Sequence, residues 1–194
     1  MNYLRDLEPN PVRCFMRQYP IGRLRRATNV RWASAALIAS AAGLMTDIAR
    51  AEDLPEAISA PGETVLLEVH GEGAQIYECK ADAKGNLVWM FREPIATLFR
   101  DGKTVGRHYV GPRWDLSDGG LISGKVEAKA PGESPSDIPW LKLTAWSPSD
   151  EGALAGVTTI QRIHTRGGSF EGSCETVGTF RSVPYSADYV FLKK

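Results

Sequence analysis

The side chains best equipped for chemistry crowd into one stretch, Gly106–Gly119 (GRHYVGPRWDLSDG). A histidine, a tyrosine, a tryptophan, two aspartates and two arginines fall within fourteen residues, around a Gly-Pro turn. His108 is the natural general base of such a set, and Asp118 or Asp115 is a carboxylate that could orient it. That pair supports a small hydrolase or lyase, with or without help from a metal. Against it, the chain has no recognisable nucleophile elbow and no second carboxylate that can be placed opposite. His108 can equally cap a turn or bond a strand edge, and Asp118-Gly119 reads just as well as a hairpin turn. His108 and Asp118 are therefore candidates rather than an assigned catalytic pair, and the balance falls on a non-catalytic protein.

Asp115, Asp118, His108 and Asp188 have the oxygen and nitrogen atoms that a hard or borderline cation requires. The segment Asp115-Leu116-Ser117-Asp118 lacks regular acidic spacing, there is no CxxC, and His70, His108 and His164 lie far apart in sequence. No metal site and no cofactor is expected. Nor is there a GxGxxG between a strand and a helix for a dinucleotide.

A binding role rests on the aromatics and one arginine. Trp89, Trp114, Trp140, Trp146, Tyr77, Tyr109, Tyr185 and Tyr189 fall in or beside short apolar runs. Most belong in a core, but one or two on a concave face would stack against a sugar ring or another flat ligand. Arg162 lies mid-run between Gln161 and Ile163 and shares a strand face with Ile160 and His164. If Ile160 points inward, so does Arg162, which then needs an acidic partner, with Asp188 and Asp118 as the candidates. The candidate ligand-binding residues are Trp114, Tyr109, Arg162 and Asp188.

The elements that must position these residues are β-strands. From Glu52 onward, glycine and proline recur every eight to twelve residues between runs rich in Val, Ile, Thr, Tyr and Trp. Strands are expected at Thr64–His70, Gln75–Cys79, Asn86–Phe91, Pro94–Phe99, Lys103–Val110, Leu121–Lys129, Trp140–Trp146, Val157–Thr165 and Ser182–Leu192. Gly71-Glu72-Gly73 and Asp101-Gly102 read as hairpin turns, and a helical turn is allowed near Pro94–Thr97. In Leu121–Lys129, Ile122, Val126 and Ala128 alternate with polar residues, as in a half-exposed strand. The expected fold is all-β: a mainly antiparallel sandwich or a partly open barrel of nine or ten short strands, in a single domain over residues 52–194.

Residues 23–51 carry a different pattern: an arginine-rich stretch, an apolar Ala-rich run from Trp32 to Met45, then Ala49-Arg50-Ala51. That order is expected of a secretory signal peptide cleaved after Ala51, with residues 1–51 as leader and Met16 as an alternative start. An Ala-rich helix belonging to the fold is the competing reading. Arg25-Arg26 invites a twin-arginine export route that the following residues do not support. Beyond residue 51 the chain carries 15 basic and 20 acidic residues, a net of −5. A mildly acidic domain has no electrostatic footprint for nucleic acid, and no membrane span is expected in the mature chain. Cys14 falls in the leader, leaving Cys79 and Cys174 as a pair able to form a disulfide in an oxidising compartment, or to remain buried thiols. A periplasmic or secreted location follows, and the expected role is a ligand-binding or envelope-associated module without catalysis.

These motifs also carry a resemblance. GAQIYEC (73–79), Trp89, PIATLF (94–99), GRHYVGPRW (106–114), the Asp-Gly at 118–119, IPWLKL (138–143), GVTTIQRIHTRGG (156–168), Cys174 and PYSADYVF (184–191) resemble, in order, the secreted bacterial and fungal family known as domain of unknown function 3455. The resemblance implies export and a single domain, and it implies no reaction. The chain departs from the family pattern at Gly120, where serine is usual, and at Ser169–Ser173, where Ala-Pro usually precedes the second cysteine. A ligand held by either loop would meet altered specificity here.

Overall fold

The computed structural model describes residues 54–147 and 151–194, and among them the chain is all-β. The leader expected over residues 1–51, with Cys14, lies outside the described residues. Eight strands follow one another: β1 (Thr64–Ala81), β2 (Leu87–Arg100), β3 (Lys103–Tyr109), β4 (Arg113–Leu116), β5 (Leu121–Ala130), β6 (Trp140–Trp146), β7 (Thr159–Gly167) and β8 (Phe180–Lys193). Each pairs antiparallel with the next, and β1 pairs with β8, so the sheet closes as an up-and-down barrel. Of the two expected arrangements the antiparallel barrel is the one present, with its sheet closed rather than partly open, which removes every sheet edge.

Long strands account for eight elements instead of nine or ten. The hairpin expected at Gly71-Glu72-Gly73 does not form, because β1 runs straight through it and pairs with β2 on one side and β8 on the other. The glycines answer to packing: a Cβ on Gly71 would stand 2.7 Å from the Tyr189 ring, and one on Gly73 would collide with the Ile95 backbone. Pro94–Thr97 is likewise strand, not a helical turn. The Asp101-Gly102 hairpin is present, with φ of +50° and +72°, the paired positive values of a tight two-residue hairpin turn. The short strand β4 was not anticipated, and it carries Trp114.

Alternation along the strands points Leu67, Val69, Leu98, Trp114, Ile122, Leu143, Ile160, Tyr189 and Phe191 into the barrel. Leu154, from the segment between β6 and β7, joins this core fully buried at one end. A second cluster lies outside the wall. There Ile58, from a single 3-10 turn (Glu56–Ile58), packs on Ala130, Ile163, Val190 and Leu192, and Gln161 Nε2 donates to the Ile58 carbonyl at 2.7 Å. A bulge between Val126 and Ala128 breaks the expected alternation of β5, sending Ala128 to this outer cluster.

Cys79 and Cys174 form a disulfide with Cα atoms 5.9 Å apart, which removes the reading of two free thiols. It ties the end of β1 to the β7–β8 connection across 95 positions, and chain entropy values such a crosslink at about 4–5 kcal/mol. The same connection is pinned to β2 where Trp89 N–H donates to Gly172 O at 3.0 Å and Cys174 N–H to Leu87 O at 3.1 Å. Among the described residues no helix is long and apolar enough to cross a membrane.

The tight approach of β1 to β2 gives a direct test. Gly73→Ala should lower the stability measured by denaturant unfolding by about 1–3 kcal/mol, since the obstacle is backbone and cannot swing aside. An unchanged midpoint would mean the strands are not packed this closely.

Candidate functional site

In an up-and-down barrel the ends of odd strands and the starts of even ones share a rim. The C-terminal half of β1, the start of β2 and the β3–β4 turn meet this way at one end and surround an open cavity of about 700 Å³. The opposite end is filled. There Asp118, in the β4–β5 turn, accepts hydrogen bonds from Gly120 N–H at 2.9 Å and Ala153 N–H at 2.7 Å. These bonds hold its carboxyl below the usual range, and they fasten the segment whose Leu154 plugs the core.

His108 and Trp114 face each other across β3 and β4 in direct register. Their rings stack at 4.4 Å and 14°, with Tyr189 edge-on at 5.0 Å from His108 and 5.5 Å from Trp114. His108 is 3% exposed, and its Nδ1 lies 2.9 Å from the Arg113 carbonyl. A carbonyl only accepts, so Nδ1 carries the hydrogen and Nε2 is left as a lone-pair acceptor. Burial, opposed by that hydrogen bond and reinforced by the Arg162 cation, lowers the pKa to about 3. A histidine this weakly basic is poorly matched to general-base work at neutral pH. The structure does not bring it together with Asp118, which stands at the other end of the barrel.

Arg162 does point inward, as its alternation with fully buried Ile160 requires. Its register neighbours are Leu141 on β6 and Tyr189 on β8. Nε and Nη2 donate to the Pro139 carbonyl at 3.2 and 2.8 Å. The guanidinium is half-buried, with the cavity as its opening, and it lies among the hydroxyls of Tyr189, Tyr185 and Tyr77. Burial lowers its pKa and raises those of the three tyrosines, so a cation sits among neutral phenols. Neither acidic partner expected for Arg162 is present. Asp188 faces outward, accepting from His70 Nδ1 at 2.7 Å and His164 Nδ1 at 2.8 Å. A register shift after Ile163, with φ of +49° at His164, swings His164 off the Arg162 face and onto Asp188 and Trp140.

Of the ligand-binding candidates, Trp114 and Arg162 line the cavity and His108 joins them, whereas Tyr109 and Asp188 do not. Tyr109 packs instead beneath Arg107, whose guanidinium lies 5.1 Å from the ring and pairs with Asp115 at 2.7 Å. The cavity adds residues not assigned from sequence, chiefly Gln75, Tyr77, Trp89, Phe91 and Phe170. Phe170 comes from the disulfide-tied connection, 5.9 Å from Tyr77 and 6.2 Å from Trp89. The alternation of Gln75, Tyr77 and Cys79 on one strand face was a usable signal for the first two. Phe170 falls in Ser169–Ser173, the loop that departs from the family pattern, but nothing in the sequence picks it out individually. Among the described residues, no cluster of three or more His, Cys, Asp or Glu is arranged to hold a metal ion.

The depressed histidine makes a pH prediction. Between pH 6.5 and 3 the unfolded chain protonates His108 and the folded chain does not, so stability falls as pH falls through that window. His108→Phe, which preserves stacking on Trp114, should flatten the stability slope between pH 6 and 4.5 by up to about 1.4 kcal/mol per pH unit. Identical slopes in denaturant titrations of the two proteins would contradict a buried neutral His108.

No curated protein and no solved structure matches the chain. Residues 60–193 match the family described as Protein of unknown function (DUF3455), and the chain belongs to that family.

Proposed function

We propose that this protein is an exported, non-catalytic binding module that holds one small flat molecule, such as a sugar ring or an aromatic compound, in the open end of its barrel. The observation that carries the reading is the cavity itself. It combines about 700 Å³ with walls of Tyr77, Trp89, Phe91 and Phe170 and a floor where His108, Arg162 and Tyr189 converge. Small-molecule sites have this character, mostly apolar with a few oriented polar groups, and an eight-stranded barrel is wide enough for one small ligand. The Cys79–Cys174 disulfide supports export, because such bonds persist in oxidising compartments. The basic, apolar, small-x-small order of residues 23–51 supports it independently.

A hydrolase or lyase built on His108 and Asp118 has less support. The histidine is neutral and has no carboxylate beside it, while the aspartate serves two backbone N–H groups. The purified protein should turn over no simple ester, glycoside or peptide.

Trp89 and Trp114 line the cavity, so ligand entry can be read from tryptophan emission. Titration with a panel of monosaccharides, disaccharides and one- or two-ring aromatic compounds should give saturable quenching by at least one class, with one site per chain. Val126 lines the cavity yet is 40% exposed, so Val126→Trp should fill the mouth without disturbing the core and abolish that quenching. No saturable response from any class would overturn the reading.

A further inference from the structure

The proposed binding role leaves the chemical class of the ligand undecided, and the charge inside the cavity narrows it. Arg162 is a half-buried guanidinium that, among the described residues, pairs with no carboxylate. Of its five N–H groups, two are directed at one carbonyl, that of Pro139. One further donor in the lining lacks an acceptor: Trp114 is 1% exposed and its Nε1 has no hydrogen-bond partner. Gln75, 2% exposed, has the Tyr185 hydroxyl beside its side chain. A buried donor without a partner carries a real cost, so Trp114 Nε1 and the half-buried guanidinium around one space point to an acceptor that is still to arrive. The charged lining holds Lys129, Arg162 and Arg92, the last paired with Glu93 at 3.1 Å, and one acid, the exposed Glu171. His108 is neutral and adds no positive charge.

We propose, on the basis of the binding role above, that the cavity takes an aromatic monocarboxylate, its carboxylate paired with Arg162 and its ring between the aromatic walls. Charge count sets the anion. One sheltered guanidinium balances one negative charge, and its planar fork matches the two oxygens of a carboxylate. A phosphate dianion would leave a second charge with no cation beside it on the floor. Geometry sets the ring. Tyr77, Phe170 and Trp89 already meet one another edge-to-face, at interplanar angles of 71° and 62°, and a flat ligand adds another face to that set. Lys129 at the mouth attracts an approaching anion without neutralising it at the floor.

The test compares naphthoate with naphthamide, which have nearly the same shape and differ in charge. Binding of each to the intact protein is measured by calorimetry at neutral pH. Naphthoate should bind roughly tenfold to a hundredfold more tightly, the range expected when a hydrogen bond gains a full charge. Arg162→Met should erase that preference, with circular dichroism and a cooperative denaturant transition showing that the variant has folded. If Arg162→Met does not fold, Arg162→Lys replaces it and should retain only part of the preference, because it keeps the charge and loses the fork. Equal affinity of the wild type for the two compounds, or a full preference surviving in either variant, would overturn the anion assignment and leave the binding role standing. Binding of neither compound would overturn the aromatic-acid assignment, and the sugar arm of the earlier titration would then decide whether the binding role survives.

Discussion

The pairing of β1 with β8 is the constraint on which the rest depends. It runs from Thr64 opposite Lys193 to Glu78 opposite Phe180, joining the first strand to the last over nearly their whole length. Without it the sheet would be an open meander with two long edges, and Tyr189 and Arg162 would have no enclosed space to face. Closure also dictates a crowded seam. Gly71 lets the Tyr189 ring lie against β1, and Gly73 lets β1 pass close to Ile95 on β2. Once the ring is closed, the two ends have different fates. Leu154 plugs one, held there through Asp118, while at the other the disulfide-bound connection stands at the rim and contributes Phe170 without filling the opening.

The interior of the open end is electrostatically unusual for a core. Stability alone would favour a hydrocarbon side chain where Arg162 stands, because removing a charge from water is costly when nothing compensates it. The surrounding groups soften the cost without cancelling it: a carbonyl from Pro139 and neutral tyrosine oxygens. His108 is held neutral, so it does not add a second positive charge to the same floor. Local rules of this kind are commonly broken at functional sites, where stability is exchanged for binding.

Much of the barrel was legible in the sequence because strand alternation is a local property. The β-branched runs, the Asp101-Gly102 turn and the inward side of Ile160 and Arg162 could all be read from spacing. The number of strands could not. A glycine pair such as Gly71 and Gly73 signals a turn locally and a close strand crossing only once the neighbours are known. Bulges defeated alternation in two places, moving Ala128 to the outer wall and turning His164 away from Arg162. The dense stretch around His108 contributes His108 and Trp114 to the cavity lining, but it does not form one cluster. It is a hairpin whose turn lies at the open end and whose two chain ends lie together toward the filled end, so Trp114, just past the turn, reaches the cavity while Asp118 does not. The loop of Phe170 could be flagged from its departure from the family pattern, but not its place at the cavity, which depends on a crosslink spanning 95 residues.

The central claim is that the barrel encloses an accessible space whose floor is an Arg162 guanidinium without a carboxylate partner from the protein. A crystal structure of the protein as isolated, at a resolution that shows ordered water, tests it most directly. The account predicts solvent or a bound anion within hydrogen-bonding distance of Arg162, with open space beside the edge-to-face set of Tyr77, Phe170 and Trp89. A collapsed interior, with Arg162 paired to a protein carboxylate and no solvent between the aromatic rings, would contradict it.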